Sequence, residues 1–310
     1  MKGVQAACHK CGAAVAVYAP LQVVEQLSAR YTAALREIDS LKAQLDDSEL
    51  QENLQNNPLN NLDLNNTDKL ATAAQHQPLA NWFTKQNVKA EFNYSAVDMS
   101  GFYDEAAQKI GQNYALLADL MRKLSWSYHK NVLNLNLDLK KYNQKQQQKI
   151  NHICREFYSH TLFSVYNYKK QDKILFLKLQ IATPIRQFFM GGWLEWFALN
   201  SVLQTVQAKN VRFSVARSVK IHFQNQDLHE LDVVLYTSNG VPIVIECKTG
   251  EYRKDLDKYL NLRKRLNIPA NNFILLVLDI DDAQAKSLSS MYDLTFVTLN
   301  TLQAHIEKVV

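Results

Sequence analysis

The sequence predicts a mixed α/β chain whose last 130 residues run α-β-β-β-α-β. Three observations carry this. Residues 183–206 have the length and apolar spacing of a helix, with Pro184 suited to its first turn. Residues 211–223, 228–236 and 241–248 are short β-rich runs, the last two divided by the turn Ser238-Asn239-Gly240. Residues 252–266 return to helical spacing, and FILLVLD at 273–279 reads as a buried strand. A short helix, a strand at 294–299 and a last helix finish the chain. With 47% hydrophobic and 21% charged residues the chain is a folded protein rather than a disordered one. Its 310 residues suggest roughly two domains. None of the 8 glycines falls in GxGxxG or GxxxxGK[ST], which excludes the glycine-rich cradles that hold dinucleotides or P-loop phosphates.

The first segment, residues 1–50, opens with Cys8-His9-Lys10-Cys11, the spacing of half a zinc knuckle. No second CxxC or HxxxH follows, so one chain cannot close a four-ligand site locally. Two chains, each giving Cys8 and Cys11, would. Val24, Leu27, Tyr31, Ala34, Ile38, Leu41 and Leu45 then keep the 3-4 spacing of a coiled-coil seam. A parallel homodimer sharing zinc is the expectation, and an amphipathic helix packed on its own chain is the alternative. The 4 cysteines do not suggest a disulfide framework. The Cys-His-Lys-Cys run interrupts any signal-peptide core, and no apolar run approaches the ~18 residues of a membrane span. A cytoplasmic protein without a membrane partner is expected.

Residues 51–80 are polar and asparagine-rich, with Pro58, and read as a flexible linker. Residues 81–180 read as a small α+β unit. Tyr103 to Leu120 has helical spacing, 132–139 alternates as a strand, and 142–158 is a helix with Ile150, Ile153, Cys154 and Phe157 on its apolar face. Strands at 162–168 and 174–180 flank a basic turn. The order is compatible with a winged-helix-like unit. Between Leu117 and Met190 thirteen lysines and arginines face four acids, although the whole chain carries only +5. Lys145 and Lys149 on the helix and Lys169, Lys170 and Lys173 in the turn are therefore candidate contacts to nucleic acid. A solvated lysine-rich surface is the plainer reading of the same charge.

Residues 181–310 hold the chemistry. Glu230 and Asp232 share one strand face, as do Glu246 and Lys248, while Leu231, Val233, Ile245 and Cys247 point the other way. If the strands pair through the Gly240 turn, Asp232 and Glu246 meet at one end of the hairpin. With Glu195 on the preceding helix they would form an oxygen-lined Mg²⁺ or Mn²⁺ site, and Lys248 would orient a water and offset phosphate charge.

Asp232-x13-Glu246-Cys247-Lys248 resembles the D-x(n)-[DE]-x-K motif of the PD-(D/E)XK nuclease superfamily, whose restriction-endonuclease-like core has the same αβββαβ order. Gly191-Gly192-Trp193-Leu194-Glu195, Glu230-Leu231-Asp232-Val233 and Glu246-Cys247-Lys248-Thr249-Gly250 are similar to the nuclease domain of cyclic-nucleotide-activated endonucleases of type III CRISPR systems. The resemblance covers about residues 181–310. It implies Glu195, Asp232 and Glu246 as metal ligands, Lys248 as catalytic, and a metal-dependent endonuclease acting on DNA or RNA in defence against foreign nucleic acid. The rival expectation is a nuclease-fold binding or assembly module without catalysis. Leu231 stands where the motif carries proline. Asp255 stands where one branch of the superfamily carries glutamine in Q-x-x-x-Y before Tyr259, so that motif is not transferred. Residues 1–180 lack the alternating strands and helices of the relatives' sensing domain, so cyclic-nucleotide sensing is not transferred either.

Overall fold

The structure, a computed structural model, describes residues 4–17, 31, 67, 70, 72–94, 102–224 and 227–310. The chain divides into two units, Met1–Asn53 and Leu54–Val310. In the first, β1 (Val4–Ala7) and β2 (Ala14–Val17) form an antiparallel hairpin. Apart from Tyr31, the expected coiled-coil seam lies outside the described residues.

The second unit opens with α1 (Ala73–Lys85) and β3 (Lys89–Glu91). Helix α1 begins inside the stretch read as linker. The Thr72 side chain caps it by accepting from the Gln75 N–H, and Leu79 and Phe83 bury its apolar face. Next come α2 (Phe102–Gln112) and α3 (Tyr114–His129), where the sequence showed one helical period.

A three-stranded antiparallel sheet follows, with β4 (Asn134–Asp138), β5 (Phe163–Lys169) and β6 (Ile174–Leu179) in the order β4-β6-β5. Helix α4 (Gln144–Ser159) lies between β4 and β5 and starts on a capping box made by Asn143 and Gln146. It buries Ile150, Ile153, Cys154 and Phe157.

The helix expected over 183–206 is broken in two. Helix α5 (Thr183–Gln187) passes through a π-type turn, Phe188–Gly192, into α6 (Trp193–Ala208). The break is at Gly191, whose φ of 143° no side-chain-bearing residue adopts readily. Then follow β7 (Phe213–His222), β8 (Leu228–Thr237), β9 (Ile243–Lys248), α7 (Leu256–Arg265), β10 (Phe273–Val277), α8 (Asp282–Met291), β11 (Thr295–Val297) and α9 (Leu302–Val309).

These strands build one six-stranded sheet in the order β11-β10-β9-β8-β7-β3. Strands β7, β8 and β9 are antiparallel neighbours, and β10 lies parallel to both β9 and β11. Strand β3 adds itself antiparallel to the β7 edge, Lys89 opposite His222. Helix α6 covers one face. Val215, Val233, Leu235, Ile243, Ile245, Ile274 and Leu276 lie under it in a core that continues through α2, α3 and the three-stranded sheet. Among the described residues no helix is long and apolar enough to cross a membrane.

Candidate active site

Sheet register brings the two acids together. The β8–β9 ladder pairs Val233 with Ile245, and the next pair in that register is Asp232 with Glu246. The regular ladder ends one residue short of that pair. There Asp232 Oδ2 accepts the Cys247 backbone N–H at 2.7 Å. Because strand side chains alternate, both acids lie on the face opposite Val233 and Ile245. Glu246 is only 3% exposed, and its Oε1 has no hydrogen-bond partner.

The electrostatics follow from this crowding. Burial pushes the Asp232 carboxyl up to about 7, and the nearby Glu195 charge adds to the rise. Glu246 is raised well above its ordinary value by burial first and by Asp232 second. Two desolvated carboxylates that repel one another, one with a free oxygen, suit a hard divalent cation with oxygen ligands.

Glu195 sits in the first turn of α6, three residues after Gly192. Its Oε2 accepts from Arg217 Nη1 at 2.7 Å. Burial raises its pKa while Arg217 works against the rise. Arg217 also lies over the Trp196 ring, 4.0 Å from its centroid. Thus the third acid is held by an arginine next to the carboxylate pair. Among the described residues no three His, Cys, Asp or Glu side chains form a ready metal-binding group.

Lys248 Nζ donates to Asp255 Oδ2 at 3.1 Å and lies 5.2 Å from the centroid of the Tyr259 ring. Tyr259 is buried on α7, and its side chain works against the rise of the Glu246 carboxyl. Burial and the Glu246 charge raise the Tyr259 hydroxyl. The Asp255-x-x-x-Tyr259 pair, set aside in the sequence for want of a glutamine, therefore stands at the site.

Arg217 and Ser218 were also missed. Ser218 lies in β7 between Arg217, opposite Val233, and Val219, opposite Leu231, so it faces Asp232 across the ladder. Its φ is +55°, a left-handed conformation that no glycine announced in the sequence.

A cleft of about 610 Å³ reaches the site at Glu195 and Arg217, with Tyr103, Phe188, Trp196 and Glu230 also on its wall, while Asp232, Glu246 and Lys248 do not line it. The five candidate lysines lie elsewhere, exposed on the three-stranded sheet unit. Lys145 and Lys149 occupy the first turns of α4, and Lys169, Lys170 and Lys173 the β5–β6 turn. Leu139, which leads toward α4, donates its N–H to the Lys173 carbonyl at 2.9 Å, so the turn and the start of the helix share one end of the unit.

Residues 183–268 match the family model described as the Card1-like endonuclease domain. No curated protein matches the chain. Among solved structures, the chain is similar to protein VC1899 from Vibrio cholerae, at 20% identity and a TM-score of 0.51 over 74% of this chain and 60% of that one. It is also similar to Can2 from Sulfobacillus thermosulfidooxidans, solved with cyclic tetra-adenylate, at 16% identity and a TM-score of 0.52 over 74% of this chain and 59% of that one. The chain thus spans about 60% of the length of the structures it matches. A share of 74% is more than the last 130 of 310 residues can supply, so the common fold also takes in part of the preceding segment. Residues 183–268 are thus similar to a Card1-like endonuclease domain, and the chain shares the fold of the two structures.

Proposed function

We propose that the protein is a metal-dependent endonuclease that hydrolyses phosphodiester bonds in DNA or RNA. The observation that carries this is the Asp232–Glu246 pair, adjacent, desolvated and missing one partner at Glu246 Oε1, with Lys248 two residues along the same strand. Asp232 and Glu246, with Glu195 beside them, would hold Mg²⁺ or Mn²⁺. Such a cation supplies neutralisation of phosphate charge and a lowered pKa for the attacking water. Lys248, positioned by Asp255, offsets the charge that grows on the phosphate and orients the water. Arg217, next to Glu195 on the cleft wall, binds a non-bridging phosphate oxygen. The cleft accommodates a nucleotide flanking the scissile bond. Lys145, Lys149, Lys169, Lys170 and Lys173 hold the strand backbone at a distance from the cut. The family match and the likeness to Can2 favour a role in CRISPR-associated defence.

The test is cleavage of plasmid, single-stranded DNA and RNA by the purified full chain with and without Mg²⁺ or Mn²⁺. Asp232→Ala, Glu246→Ala and Lys248→Ala are each expected to lower the rate at least about 10²–10³-fold while the thermal unfolding transition survives. Undiminished metal-dependent cleavage by the triple variant would overturn the assignment. Binding of nucleic acid without any metal-dependent cleavage by the native chain would replace it with a binding module.

A further inference from the structure

The function proposed above leaves Cys8 and Cys11 unused. The hairpin places them at its tip. Cys8 donates its N–H to the Ala13 carbonyl at 2.8 Å, and Gly12 donates back to the Cys8 carbonyl at 2.8 Å. Gly12 at φ +70° turns the chain into β2. The turn between the strands thus holds both cysteines of the Cys8-x-x-Cys11 spacing within four residues at one end of the hairpin. Cys11 is exposed and Cys8 half-buried, so both are open to a ligand.

We infer that this hairpin is half of a zinc site completed by the same hairpin of a second copy of the chain, four thiolates around one ion. Zinc requires four ligands in a structural site, and soft thiolates select it over the oxygen-seeking cations. Among the described residues no third His, Cys, Asp or Glu joins the pair in a metal-binding group. The chain's other cysteines are committed elsewhere: Cys154 is wholly buried in the core of the second unit, and Cys247 is built into β9. The heptad pattern that starts at Val24 explains why a second copy is the partner. A parallel seam sets equivalent residues of two chains side by side, and a two-fold axis through the tip makes each hairpin's contribution identical.

The experiment uses the full chain purified under reducing conditions. Elemental analysis is expected to find one zinc per two chains, and light scattering a dimer. Removing zinc with a chelator is expected to weaken self-association at least tenfold, with recovery on adding zinc back. A Cys8→Ser/Cys11→Ser variant is expected to lose the zinc and the same tenfold, while the melting transition of the second unit is unchanged. Serine keeps the size of the side chain, and that transition reports whether the variant has simply failed to fold. No zinc, one zinc per chain, iron in its place, zinc retained by the double variant, or self-association indifferent to zinc would each overturn the inference.

Discussion

Arg217 decides how the third acid behaves. Its guanidinium holds Glu195 and stacks on Trp196, so Arg217→Met should leave the carboxylate buried without its cation. Cleavage is expected to fall about 10²-fold, with Glu195 titrating higher in the pH–rate profile. Asp232 yields a second prediction. Its carboxyl titrates at about 7 in the fold against 3.8 ordinarily, so the folded chain holds this proton more tightly than the unfolded one. That stabilisation is complete below 3.8 and is lost as the pH rises to about 7. Glu246 shifts in the same direction. His76, which burial pulls down to about 4 from 6.5, works oppositely at acid pH, so the clean window starts at 6.5. Metal-free protein should therefore melt at a lower temperature at pH 8 than at pH 6.5. Asp232→Asn should flatten that slope, as should Mn²⁺. That Asp232 and Glu246 come together was legible in the sequence because a strand's alternation and the turn at Gly240 fix which side chains share a face. Arg217 was not, because nothing in the residues around Ser218 announces a left-handed turn inside β7.

Among the elements, the join between α5 and α6 does the most. A Cβ on Gly191 would come within 3.1 Å of Thr249 Oγ1, and the φ of 143° is hostile to it regardless. Gly191→Ala should cost about 1–3 kcal/mol in denaturant unfolding. It should also slow cleavage, since it pushes the Glu195 turn away from the strand end that carries Lys248. Helices α2 and α6 are tied by a polar contact as well as an apolar one. Asp104, wholly buried, accepts from Thr67 Oγ1 at 3.0 Å and from Asn200 Nδ2 at 3.1 Å, while Gln108 donates to Asn200 Oδ1. Asn200→Leu should destabilise by about 2–4 kcal/mol by urea titration, because it strips a partner from a buried acid. Strong periodicity made strands β4 to β11 and helix α4 readable. Helix α1 hid behind Pro78 in its interior and a neighbouring asparagine-rich run. Strand β3 is three residues long and takes its meaning only from a partner far along the chain.

The second unit has one continuous core rather than a separate nuclease core. Phe189 stacks on Phe163 at 5.5 Å between ring centroids, and Trp193 on Tyr114 at 5.5 Å. A fragment beginning at residue 181 would bare these rings, so it should lack a cooperative melting transition or aggregate, whereas residues 54–310 should melt as one. The sequence read as successive pieces suggested otherwise, because shared aromatic contacts leave no trace in local spacing.

The edge pairing of β3 with β7 also has a price in time. Lys89 must await His222, and the Gln75 carbonyl must await Ser214, which donates to it at 2.6 Å. At ribosomal rates the intervening stretch of about 130 residues takes roughly 7–26 s to emerge. Through that interval Leu79 and Phe83 have no sheet to cover them. Helix α1 is thus among the last to be secured, and a nascent chain of this protein has a built-in window in which a holding chaperone, or a neighbour on the same polysome, meets it first.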